Sequence, residues 1–155
     1  MAAYNAVIHV RYVGRGPAGE TMMEGATRVR VPFNLNAKRQ RAGGDELPQN
    51  VHVTGGAPQV IVETENFGDI VTLFGVLNTE EVLVIGYKTA GAGMGAGNRT
   101  LTIKQAKVTA IGESEFPPAE DGPQVPRYQV TFDVVKGEED TVLTLATAIV
   151  DDAEA

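Results

Sequence analysis

Residues 4–13, YNAVIHVRYV, alternate along two faces, with Ala6, Ile8, Val10 and Tyr12 on one side and Val7, His9, Arg11 and Val13 on the other. That period of two predicts a strand. TRVRVPF (27–33) alternates again, with Val29, Val31 and Phe33 inward and Arg28 and Arg30 outward. Between them GRGPAGETMMEGA (14–26) is punctuated by glycine and proline and reads as a loop, so the first two strands are expected to form a hairpin with a long connection. NVHV (50–53) is a short strand, and PQVIVETE (58–65) is a strand entered by a proline at its edge.

NFGDIVTLFGVLNTEE carries the one helical pattern, predicted over 66–79. Asn66 can cap it, and Asp69 favours the positive end of its dipole. Phe67, Ile70, Val71, Phe74 and Leu77 recur at helical spacing, which assigns them to core packing. EVLVIGYK (81–88) is continuously apolar and predicts a central strand buried on both sides. In TLTIKQAKVTAIG (100–112) the apolar set passes from Leu101 and Ile103 to Ala106, Val108 and Ala110, which predicts a bulge near Lys104–Gln105. RYQVTFDVV (127–135) places Tyr128, Val130, Phe132 and Val134 inward. TVLTLATAIV (141–150) reads as the last strand, followed by an acidic tail. About eight strands and one flanking helix make an all-β protein, a β-sandwich or barrel-like sandwich, in a single domain spanning 1–155.

Two stretches have no period. NLNAKRQRAGGDELPQN (34–50) sets Lys38, Arg39 and Arg41 beside Gly43 and Gly44, and is read as an extended basic loop or arm. The glycine-rich stretch over 89–100 is read as a hairpin loop. Gly91, Gly93 and Ala96 fit a dinucleotide fingerprint, but that chemistry needs a helix N-terminus aimed at the pyrophosphate, and TLTIKQAKVT is patterned as a strand. A Walker loop is excluded because Asn98, Arg99 and Thr100 follow Gly97 in place of Lys and Ser/Thr.

Composition removes further classes. The chain has no cysteine, so disulfides, thiolate metal sites and cysteine nucleophiles are out. Neither a secretory signal nor a membrane-spanning apolar run is expected. The net charge of −7 argues against a dedicated nucleic-acid binder. Residues 1–54 hold seven Lys/Arg and four Asp/Glu, net +3, while residues 55–155 hold six and sixteen, net −10. This split suits a basic arm on one copy meeting an acidic face on the next. His9 and His52 each lie in a strand pattern, and Ser114, the only serine, lacks a nucleophile-elbow context. The carboxylate pairs Glu80–Glu81, Glu120–Asp121, Glu138–Glu139–Asp140 and Asp151–Asp152 all fall in turns or the tail, where charge is ordinarily solvated. No catalytic residue, cofactor or metal ligand is assigned.

From residue 58 to 150 the order of helix, EVLVIGYK, glycine-rich loop, TLTIKQAKVTAIG, proline-rich loop and RYQVTFDVV resembles tube-forming proteins. These are the tail-tube proteins of long-tailed bacteriophages and the haemolysin-coregulated proteins of type VI secretion. The resemblance implies a barrel-like sandwich that assembles into stacked rings, often hexameric, within a virion made in the host cytoplasm. Small all-β capsid decoration proteins share the pattern and would imply a trimer. The expected partners are copies of the chain and other virion proteins, with no specific nucleic acid and no membrane. The residues expected at contacts between subunits are Lys38, Arg39, Arg41, Gly91, Met94, Gly97 and Arg99. An enzyme or small-ligand module using the glycine-rich loop is the other reading.

Overall fold

The computed structural model of the chain describes residues 6–90, 97–112, 118, 120, 122, 126–136 and 144–153. Its elements are β1 (Ala6–Arg15), β2 (Thr21–Met22), β3 (Ala26–Arg30), β4 (Leu35–Gln40), β5 (Asn50–Gly56), β6 (Gln59–Thr64), α1 (Phe67–Phe74), β7 (Glu81–Ala90), β8 (Gly97–Ile111), β9 (Tyr128–Val134), α2 (Leu145–Ala148) and β10 (Ile149–Ala153). The expected all-β fold is present, with more strands than the pattern suggested and a second, one-turn helix. Eight strands form one antiparallel sheet in the order β2-β1-β7-β8-β9-β6-β3, with β10 added along β8, while β4 and β5 pair only with each other. The arrangement is sandwich-like and not a closed barrel. β1 and β3 approach one another, but no ladder joins them.

β8 holds the two layers together. Its first part pairs with β7 (Ile85 opposite Leu101) and its second part with β9 (Val108 opposite Phe132). Leu83 faces Ile103 and Glu81 faces Ala106, so one residue is inserted at 104–105, where the change of apolar phase predicts a bulge. Ile103 and Ala106 are both fully buried because the bulge resets the pleat between them. The core then draws Val13 from β1, Val60 and Val62 from β6, Leu83 and Ile85 from β7, and Tyr128, Val130 and Phe132 from β9. β7 is central as expected, but it is fully buried on one face only: Val82 and Val84 are half-buried beneath the turn after β1, against Gly19. At Gly86 an added Cβ would run into the Tyr12 ring, so glycine is required there.

Several expectations are corrected. β1 pairs with β7, and β3 with β6, so these strands do not form a hairpin together. Two register shifts interrupt β1, which is why Val13 is the fully buried residue while Val10 and Tyr12 are half-buried. Phe33 lies beyond β3 and is exposed. Leu145–Ala148 is a helical turn, with the Thr144 N–H donating to Thr147 Oγ1 at 3.0 Å, and the strand begins at Ile149 and runs into the acidic segment. Most of the proline-rich loop lies outside the described residues.

α1 spans eight residues, too short to be stable by propensity alone. Ile70 and Leu73 pack into the core, and Asn66 Oδ1 accepts from the Gly68 N–H at 2.9 Å. Asp69 is the stronger anchor. Its buried carboxylate accepts from the Thr64 hydroxyl at 2.6 Å, from the Gly25 N–H at 3.0 Å and from the Glu24 N–H at 3.2 Å, tying the helix to β6 and to the turn before β3. Removing that acceptor strands two backbone donors and a buried hydroxyl. Asp69→Ala should therefore lower the unfolding free energy by about 3 kcal/mol, against about 1 kcal/mol for the cap variant Asn66→Ala, both read by chemical denaturation.

Candidate functional site

The basic segment 34–50 is an arm that is only partly loop: residues 41–49 connect two strands. Its first part is β4, which pairs with β5 to make a hairpin apart from the main sheet. Ala37 lies opposite Val53 and Arg39 opposite Val51, while Lys38 lies opposite His52 and Gln40 opposite Asn50. Directly opposed residues share a face. One face of the arm is therefore Leu35, Ala37, Arg39, Val51 and Val53, and the other is polar. The apolar face is uncovered: Leu35 is 56%, Val51 50% and Val53 51% exposed. Lys38, Arg39 and Arg41 are exposed and have no ion-pair partner among the described residues.

The arm has a defined root. Asn34 sits in the left-handed region, at φ 49°, its Nδ2 donates to the Ala57 carbonyl at 3.0 Å, and the Ala57 N–H donates back to the Asn34 carbonyl at 3.2 Å. The Gln59 N–H donates to the Pro32 carbonyl at 2.9 Å just inside it. A cleft of about 480 Å3 lies at this root, between Val53–Gly56 of the arm and Val134, Leu145 and Ala148, with Lys136 the one ionisable lining residue among the described residues. A second, apolar cleft of about 260 Å3 follows the unclosed seam, between Val10 of β1 and Val29 and Val31 near β3.

A second uncovered apolar face was assigned to the core by its spacing. On α1, Phe67, Val71 and Phe74 form the flank of the apolar stripe next to Ile70 and Leu73, turned outward from them. Phe74 is 56% and Val71 51% exposed, with Leu77 beside them in the following turn. Phe67 keeps one edge on the body, its ring 5.7 Å from that of Tyr128. The signal that marks this face is an apolar stripe on a short helix wider than one layer of core can cover.

The other expected contact residues divide. Thr89 of β7 pairs with Gly97 of β8 in an antiparallel ladder, and residues 97–111 are extended. No helix N-terminus follows the glycine stretch, so the phosphate-loop geometry is absent there. Gly91 and Met94 lie outside the described residues. Gly97 opens β8 at φ 104°. Arg99 is engaged within the chain, its Nη2 3.3 Å from Asp151 Oδ2. The Tyr87 hydroxyl donates to Asp151 Oδ1 at 2.6 Å, so this cluster fastens β10 to β7 and β8. Burial and that hydrogen bond raise the phenol above its ordinary 10.0.

The acidic pairs are likewise occupied or scattered. Glu81 is buried against Arg15, Oε1 to Nη1 2.9 Å, with side chains only 4% and 6% exposed. Its Oε2 is buried with no hydrogen-bond partner among the described residues. Glu80 faces Lys107 at 3.8 Å. Glu120 is exposed, while Asp121 and Glu138–Glu139–Asp140 lie outside the described residues. His9 and His52 are exposed on separate sheets, His9 opposite Lys88 and His52 opposite Lys38. Among the described residues no three His, Asp or Glu side chains cluster as metal ligands, and no helix is long and apolar enough to cross a membrane.

Removing one member of a buried ion pair strands the other charge. Arg15→Met should destabilise the fold by about 3–5 kcal/mol, and Arg15→Met/Glu81→Leu by markedly less, measured by urea unfolding. For Tyr87 the raised folded pKa means that the proton is held more tightly in the native state. The stability difference between the native chain and Tyr87→Phe should stay constant below pH about 10 and shrink as pH rises through the raised pKa. A scan against protein-family models returns no match, and no curated protein matches the chain.

Proposed function

We propose that the chain is a structural assembly protein of a phage virion whose copies join through the β4–β5 arm, as a ring subunit of a tail tube. The arm carries this reading. A two-stranded hairpin is marginal in water without a layer against its apolar face, and here Leu35, Val51 and Val53 stay half exposed, with no such layer among the described residues. A second copy supplies it. Three cations without an ion-pair partner among the described residues, on an arm attached to an otherwise acidic chain, favour contact between copies over contact with a polyanion. The sequence resemblance over 58–150 supports the same class, and the acidic remainder suits a wall past which nucleic acid slides without binding.

Sedimentation and electron microscopy of the purified protein test this. Particles that grow from the 16.4 kDa chain into rings or hollow tubes are expected. Discrete trimers that bind a capsid shell would transfer the protein to the decoration class. A monomer at every concentration up to hundreds of micromolar would reject assembly. Lys38→Glu/Arg39→Glu/Arg41→Glu should abolish growth while changing the unfolding free energy by no more than about 0.5 kcal/mol per site, because all three side chains are solvated in the single chain.

A further inference from the structure

We infer that the surface receiving the arm is the outward face of α1 on another copy, so that copies join head to tail. This deepens the assembly reading and rests on it. Among the described residues, every large exposed apolar side chain apart from Met22 and Leu145 belongs to one of two groups. One is the arm and its root, centred on Leu35, Val51 and Val53. The other is α1 and its following turn, centred on Val71, Phe74 and Leu77. An arm-to-arm contact would leave the helix face in water, and a helix-to-helix contact would leave the arm. Only arm on helix covers both with one interface.

The two groups leave the body at opposite ends of one strand. The arm closes at Ala57 and leads into β6 at Gln59, while α1 begins just after β6 ends at Thr64. Six residues of strand separate their attachment points by roughly 20 Å. Donor and acceptor at opposite ends of a rigid strand make the contact heterologous, which repeats from copy to copy along the direction of β6. Charge matches as well. Arg39 lies within the arm's apolar face. Glu24, whose N–H bonds to Asp69, and Glu65, next to the cap residue, flank the N-terminal end of α1, and neither forms an ion pair among the described residues.

The test uses two variants of the full chain. Val71→Glu/Phe74→Glu disables the helix face and keeps the arm; Val51→Glu/Val53→Glu disables the arm and keeps the helix face. Thermal melting checks that each folds, and Val71→Ser/Phe74→Ser replaces the first if the added charge unfolds it. Analytical ultracentrifugation should show the native chain growing with concentration and each variant holding a fixed mass. A one-to-one mixture should double that mass, because one intact arm then meets one intact helix. Growth of the helix variant like the native chain would overturn the inference and leave self-assembly standing. Fixed variants whose mixture does not double would also overturn it. A native chain that never grows would reject the assembly reading itself, and this inference with it.

Discussion

A strand that serves two packed layers cannot keep one unbroken pleat, since the side that faces the core in the first layer points away from it in the second. β8 meets this constraint with the extra residue at Lys104–Gln105. On one side of it Ile103 closes the β7 layer, and on the other Ala106 and Val108 continue the apolar set beside β9. With the pleat reset, β9 and β10 can both lie along β8, and the core forms between the layers. The cost of an interrupted ladder is modest beside the burial of Leu83, Ile85, Val130 and Phe132 that it permits, each a side chain worth about 1.5–3 kcal/mol. The Arg15–Glu81 pair and the Asp69 acceptor then fix the edges of this core, one beneath the turn after β1 and the other beneath α1.

Local pattern is legible where burial is local. β6 and β9 alternate strictly because each has one face on the core, and the bulge is visible because a shift of one residue exchanges the two faces. The β4–β5 arm escaped for a different reason. LNAKRQ holds only two apolar positions, and its partner VHV follows a gap of ten residues, so the alternation emerges only when the two segments are set side by side. Helical spacing placed Phe67, Val71 and Phe74 together correctly, yet periodicity fixes which residues share a face and says nothing of whether a layer covers it. Asp151 and Glu81 read as solvated charge because their partners, Tyr87, Arg99 and Arg15, are distant in sequence for the most part and come close only through sheet pairing.

The functional reading follows from this division between covered and uncovered surface. The body satisfies its own core, and the two described clefts bring no nucleophile and base together among the described residues. What is left over is apolar, lies on regular elements, and is accompanied by opposite charges. Such leftovers are stable in solution only at a cost that association removes.

The hydrogen bonds that close the arm at Asn34 and Ala57 bear on how fast and how tightly copies could meet. A tethered ribbon free to swing would lose that freedom on docking, and the loss would weaken every contact it made. Here two strands leave the body through a cross-braced junction, with the Asn34 side chain locking one crossing to the other. The ribbon is already aimed when the protein folds, so its reach and bearing are settled before any neighbour arrives.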